Sequence, residues 1–356
     1  MSGRPLEQFT LEKIKRKILP ALAALLIGAT LMGCGATAVI DPQAIQTQAA
    51  APTALPTLRV SEEDADAHAL LWQLLAGQLL GATPETAAEL LPENALDVGF
   101  LTLAQREELD ALCEKQPGHF SVYLQDLRSG GVYTYGAGAL YYPASTLKAP
   151  YALWLCRKAD AGLIDLDGTV PNLLPGALEG DDLSTYSAAD AVPARLALHA
   201  MIADSDNDAT TLLAGAWPGD DSGFTDFLSE LGFSNATACG ITADGGIVGL
   251  TDVLDTASVM VELYNYFGSD AENAAFLQEC FLGAEHEILY VPQSVPAAKK
   301  YGSWDYAYHD AVIVYAENPY VLCCMTDQGN TDEDFPAAPT AAMQALGKLA
   351  YQFLDE

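Results

Sequence analysis

The sequence predicts an α+β fold, in which a five-stranded antiparallel sheet is flanked by helices and accompanied by a mostly helical subdomain. Three observations carry that expectation. A hairpin pattern stands at 120–135, a largely helical stretch fills about 145–285, and three strand patterns with a last helix close the chain. Strands at both ends of a helical middle fit one antiparallel sheet with helices on its faces.

Each element has its own signal. In 120–127, Phe120, Val122 and Leu124 alternate with Ser121, Tyr123 and Gln125; period-2 alternation marks a strand. Ser129-Gly130-Gly131 supplies the turn and 132–135 the return strand. Apolar residues at helical spacing predict helices at 146–159, 192–204, 206–215, 222–231 and 252–267. The terminal strands are expected at 296–302, 309–316 and 319–326, and the last helix at 337–354.

The N-terminal third reads differently. Arg4, Lys13, Lys15, Arg16 and Lys17 precede an apolar run from Ile18 to Met32. A basic stretch followed by a short apolar one is an export signal, here residues 1–33. It ends Leu31-Met32-Gly33-Cys34, which resembles the bacterial lipoprotein box. That resemblance implies acylation of Cys34, an extracytoplasmic location, and contact with the membrane only through the lipid. Residues 34–60, rich in Ala, Thr, Pro and Gln, have the composition of a flexible tether. Residues 61–100 read as a helical extension, with Leu70, Leu71, Leu74, Leu75, Leu79 and Leu80 at helical spacing. The main domain is expected over 101–356, starting with Thr102 as a helix cap.

Composition excludes several classes. The 356 residues hold 16 Lys+Arg against 48 Asp+Glu, a net charge of -32, which argues against nucleic-acid binding. Half of the residues are hydrophobic, too many for a disordered acidic chain. Five His and seven Cys occur without C-x-x-C or H-x-x-x-H, so no metal site is expected. A calcium loop beginning at Asp204 would place Ala209 and Gly215 where Gly and Glu are required. Beyond Cys34, the six cysteines Cys113, Cys156, Cys239, Cys280, Cys323 and Cys324 allow fifteen pairings or none, and their apolar flanks favour buried free thiols. Cys323 and Cys324, adjacent on a strand, should point to opposite faces.

Three short motifs each occur once. In Ser145-Thr146-Leu147-Lys148, the Ser and Lys lie three residues apart at the start of a helix. They share a face, and the helix N-terminus offers N–H groups to a developing oxyanion. Ser205-Asp206-Asn207 sits between two helices, where Ser205 could equally be an N-cap. Lys300-Tyr301-Gly302 opens the terminal strands and is followed by Ser303. A Ser needs a base before it is a nucleophile. Lys148 can serve if it is neutral, which burial and a nearby cation such as Lys300 favour. Of the five His, His309 alone is a rival, reached only through the fold.

S-x-x-K, S-D-N and K-x-G in this order, with Ser145 and Ser205 sixty residues apart, resemble the class A β-lactamase-like serine hydrolases, which include penicillin-binding proteins. The resemblance spans about residues 100–356. It implies a β-lactam or a D-Ala-D-Ala-like cell-wall peptide as substrate, acylation of Ser145, no cofactor and a monomer. It implies that Ser205 relays a proton between Lys148 and the leaving nitrogen, and that Asn207 binds the substrate amide. Lys300, Tyr301 and Gly302 would line the substrate site, and the N–H groups of Ser145 and Ser303 would form the oxyanion hole. Lys148, Lys299 and Lys300 make a small positive pocket in an acidic body, expected to favour a carboxylate-bearing substrate.

Two departures from the family stand out. Tyr301 replaces a Thr or Ser. The family's E-x-x-L-N loop, whose Glu activates the deacylating water, corresponds here to Cys239–Thr251, where Asp244 is the one carboxylate. Followed by Gly245-Gly246, Asp244 reads as a turn residue. Slow deacylation, or a lipoprotein that binds penicillin or cell-wall peptide without turnover, is the alternative. A solute-binding lipoprotein would leave the three motifs unused, and a glutaminase with a related fold would not need export.

Overall fold

The computed structural model describes residues 100–180, 182–219, 222–330 and 335–355. The expectations for residues 1–99, including the export signal, Cys34, the tether and nearly all of the helical extension, lie outside the described residues.

In chain order the helices are α1 (Leu103–Cys113), α2 (Lys148–Asp160), α3 (Ala194–Ala203), α4 (Asn207–Ala216), α5 (Ser222–Glu230), α6 (Val253–Phe267), α7 (Ala274–Leu282) and α8 (Ala337–Asp355). The strands are β1 (Phe120–Asp126), β2 (Val132–Tyr135), β3 (Thr169–Pro171), β4 (Ala191–Pro193), β5 (Gly240–Ile241), β6 (Ile247–Val248), β7 (Ala297–Trp304), β8 (Ala307–Val314) and β9 (Tyr320–Thr326). The main sheet has the order β2-β1-β9-β8-β7 and is antiparallel throughout. The expected α+β plan is therefore the observed one, with β7 on an edge.

Local chemistry explains the element ends. Thr102 caps α1 through a reciprocal pair: its Oγ1 accepts from Gln105 N, and the Gln105 side chain accepts from Thr102 N. Asp252 and Asp255 do the same for α6. The β1–β2 hairpin closes through Gly130 at φ 74.

Two apolar cores lie on the two faces of the sheet. One holds α2, α3, α4, α6 and α7 against Ala298, Ala311, Ile313 and Cys323. The other holds α1 and α8 against Val122, Val312, Leu322 and Cys324. Cys323 and Cys324 thus enter opposite cores, as strand alternation requires. The six described cysteines are buried free thiols. Helix α2 is buried from Lys148 to Cys156, which is what an apolar sequence on every face implies.

The structure differs from expectation in four places. Helix α7 is additional, and β3–β4 and β5–β6 are small extra sheets. Strand β8 begins two residues before its expected start, because a two-residue turn at Asp305-Tyr306 brings Trp304 opposite Ala307.

Candidate active site

Three segments meet at the edge strand. Ala144–Leu147 forms a 3-10 turn that runs into α2, so the helix carrying Ser145 starts more tightly wound than an α-helix. In a 3-10 turn, residues i and i+3 eclipse, which keeps Ser145 and Lys148 on one side. Ala144 is forced to φ 47 just before the nucleophile candidate. Non-glycine residues there are strained, and such strain gathers at functional sites. His309 on β8 braces this segment: its Nε2 donates to Tyr142 O at 2.9 Å, and its Nδ1 accepts from Thr326 N at 3.3 Å. Burial pushes His309 down to about 4. The imidazole is therefore neutral, fixed in one tautomer and directed at a carbonyl, not at Ser145.

Gly302 on β7 faces the turn. A Cβ there would lie 2.9 Å from Pro143 O and 3.0 Å from both Ser145 N and Thr146 N. Only a glycine lets the edge strand come this close to the first N–H groups of the helix. Ser303 follows on the same strand.

The turn between α3 and α4 supplies the third wall. Asp206, not Ser205, caps α4: its Oδ1 accepts from Ala209 N at 2.8 Å. Ser205 sits at φ 58, again strained for a residue with a side chain. Freed from capping, Ser205 Oγ accepts from Lys300 Nζ at 2.8 Å, and Ser205 O accepts from Lys148 Nζ at 2.6 Å.

Both lysines are dry, with Lys148 0% and Lys300 1% exposed. Lys148 Nζ also donates to Asn207 Oδ1 at 2.8 Å, and it lies 3.4 Å from Asp206 O. Burial lowers Lys148 to about 7, with the Asp206 carboxylate opposing. A neutral amine has two N–H groups, and the two short bonds use both, so its lone pair remains for a proton. Lys300 is also held well below its ordinary value, by burial first and then by the Lys148 charge, against Asp310 and Asp204. Its donors go to Ser205 Oγ and, at 3.0 Å, Tyr301 O. Lys300 is thus a buried partner of Ser205.

Ser145, Lys148, Ser205, Asn207, Lys300, Gly302 and Ser303 converge. Ser145 is half-buried, and no hydrogen bond of its Oγ to Lys148 occurs among the described residues. Reactive hydrogen bonds often tighten only once substrate is bound. Tyr301 is placed differently. Its ring packs at a tilt against His286, with centroids 4.7 Å apart, and against Phe335, 5.7 Å apart, and one face lies 4.7 Å from Lys300 Nζ. Behind it, the buried Asp310 carboxylate is held by His286 Nε2 at 2.8 Å, Leu289 N at 2.9 Å and Ala311 N at 3.0 Å. Sequence reasoning missed Asp206 as the cap and His309 as the brace; the D-x-x-A spacing after Asp206 was the one available signal.

Asp244 lies in the β5–β6 turn. Its Oδ1 accepts from Thr242 Oγ1 at 2.5 Å and Gly246 N at 3.4 Å, and these bonds hold its pKa below the usual carboxylate range. It is a solvent-facing turn residue. The loop is pinned against the site by Tyr142 Oη donating to Ile247 O at 3.1 Å, and by Thr211 Oγ1 donating to Asp244 O at 3.1 Å.

With this geometry in hand, comparisons with known proteins give a consistent picture. A model of the β-lactamase enzyme family matches residues 104–354. Among solved structures, a mutant of PBP-A described as an acyl-enzyme complex with penicillin G superposes with a TM-score of 0.59 at 20% identity. It covers 70% of this chain and 95% of that one. A β-lactamase from Chitinophaga pinensis gives 0.60 at 16% identity, covering 70% and 98%. One from Burkholderia vietnamiensis gives 0.59 at 19%, covering 70% and 96%. No curated protein matches the sequence.

Proposed function

Because the chain belongs to the β-lactamase enzyme family, we propose that it is a serine acyl-transferase or hydrolase acting on β-lactams or D-Ala-D-Ala-like peptides, with Ser145 as nucleophile. The single observation that supports it most is the dry Lys148 amine, held by Ser205 O and Asn207 Oδ1 beside Ser145. Ser145 Oγ adds to the carbonyl carbon as its proton passes to the Lys148 lone pair. The oxyanion is met by the N–H groups of Ser145 and Ser303, across the gap that Gly302 keeps narrow. The C–N bond then breaks, and the leaving nitrogen takes the Ser205 hydroxyl proton. Lys148 returns its proton to Ser205. Lys300, donating to Ser205 Oγ, orients that hydroxyl so that its own hydrogen is free to leave.

One observation favours slow turnover. The one carboxylate of 239–251 is engaged with Thr242 and Gly246 at the surface, so the loop brings no base toward Ser145. An acyl-enzyme that persists, and hence a penicillin-binding or sensing role, is the second reading. Labelling with a fluorescent penicillin tests both: Ser145→Ala should abolish it, and retained labelling refutes Ser145 as nucleophile. Intact mass against time then separates a lasting adduct from rapid return of free protein.

Export and lipid anchoring rest on residues 1–34. Palmitate labelling that survives in Cys34→Ala would refute Cys34 as the lipidation site.

A further inference from the structure

The charges around Ser205 bear on which leaving groups fit the site. In the proposed reaction the leaving nitrogen takes its proton from Ser205. A carboxylate one carbon from that nitrogen would therefore settle beside Ser205, Lys300 and Tyr301. Little positive charge faces that place. Lys300 is 1% exposed, and its amine already donates to Ser205 Oγ and Tyr301 O. Lys299 follows strand alternation onto the other face of β7, where its Nζ donates to His286 O at 3.1 Å. Tyr301, in place of a Thr or Ser, has its ring packed against His286 and Phe335. Segments 172–190, 204–208 and 239–251 hold no Lys or Arg.

Negative charge, by contrast, rims it. Asp204 and Asp208 flank Ser205-Asp206-Asn207; Asp204 is exposed and Asp208 half-buried. The exposed Glu179 is tied to the same turn, because its N donates to Asp208 Oδ2 at 3.1 Å. Behind β7, the buried Asp310 stands opposite Tyr301 in the β7–β8 register. Asp204 and Asp310 both act on the Lys300 amine, so both lie within electrostatic reach of an anion at Ser205. Asp244 adds a carboxylate on the β5–β6 turn, which Thr211 of α4 holds through Asp244 O.

We propose that the site selects acyl donors whose leaving group bears no carboxylate, so that a carboxamide or an amine at that position is preferred over a free acid. The preference comes from repulsion of the wrong substrate by the rim, not from a new attractive contact. This selection rests on Ser145 being the acylated residue. It reverses the carboxylate preference expected from Lys148, Lys299 and Lys300, because two of those amines are dry and the third faces away.

The test follows acylation by intact mass, comparing a penicillin as the free acid with the same penicillin whose carboxyl is converted to the carboxamide. The carboxamide should react about tenfold faster at low salt, the size of one like-charge encounter in a partly wet site. Asp204→Asn, or about 0.5 M salt, should narrow the advantage to about threefold. A free acid that reacts as fast or faster overturns the proposal, as does an advantage that neither salt nor Asp204→Asn changes. Ser145→Ala provides an arm without chemistry. There the carboxamide should bind about tenfold more tightly at low salt, and equal or weaker binding overturns the proposal. If neither form acylates the wild type, the Ser145 reading fails, and the binding arm alone decides the charge selection.

Discussion

Replacing Lys148 with Met is the most direct probe of how the fold makes its base. In the folded chain the amine sits at about 7, chiefly through burial; an unfolded Lys sits near 10.4. That difference corresponds to about 5 kcal/mol between the two protonation states. Because the folded value is the lower one, the unfolded chain binds the extra proton between about pH 7 and 10. Stability therefore rises with pH across that window, and below pH 7 the whole penalty weighs on the fold. Met keeps the volume without the charge. It strands Ser205 O and Asn207 Oδ1, about 1–2 kcal/mol each, which leaves a net gain of about 1–3 kcal/mol at pH 6. Urea unfolding at pH 6 and pH 9.5 should show the variant ahead at the first and the gap shrinking at the second. The same titration should appear in function: acylation by a penicillin should climb with pH to a plateau, with a midpoint near 7, as Lys148 loses its proton. A gap that does not change with pH, or acylation flat from pH 5.5 to 9, would refute the assignment of a burial-tuned lysine base.

Two further outcomes follow from the geometry. Gly302→Ala puts a Cβ within 2.9–3.0 Å of Pro143 O, Ser145 N and Thr146 N. The strand must back off by a few tenths of an ångström, and acylation should fall about 10–100-fold in stopped-flow, since displaced oxyanion donors cost that much; an unchanged rate would show that the strand is not part of the hole. His309→Leu strands Tyr142 O and Thr326 N and should cost about 2–4 kcal/mol in urea unfolding. His309 lies at about 4 when folded and near 6.5 when unfolded. The wild type should therefore lose stability as pH falls from 6.5 to 4, and the variant should lack that component of the slope.

Much of the architecture was legible because long patterns carried it. The 120–135 hairpin and the last helix have a periodic apolar face, and the last two strands read as short apolar runs, buried at every position. Helix α7 was not legible, because Ala274 to Leu282 is apolar on nearly every face. Asn273 also gives no cap bond, its side chain donating instead to Asp160. The β3–β4 and β5–β6 pairs are two or three residues long, too short for alternation to register. The β7–β8 turn escaped because Tyr306 occupies a φ that sequence rules reserve for Gly or Asn. At the site, the motifs named the residues but not the atoms. Which oxygen of Ser205 meets which lysine depends on its φ of 58 and on Asp206 taking the cap. Neither is written in S-D-N.

The acidity of the chain bears on this chemistry in the opposite sense to the expected positive pocket. Asp206 raises the pKa of Lys148, and Asp310 and Asp204 raise that of Lys300, so each carboxylate works against a neutral base. At Lys300 the Lys148 charge offsets part of this, ranking after desolvation. Desolvation must therefore outweigh the local negative charge, and it does so only because both amines are essentially without solvent contact. The property that makes Lys148 a base is thus distributed over the packing around it: the 3-10 turn, α4 and the edge strand that seal it. Loosening any of these should return water to the amine and raise its pKa. Activity at neutral pH would then fall before the fold itself is lost.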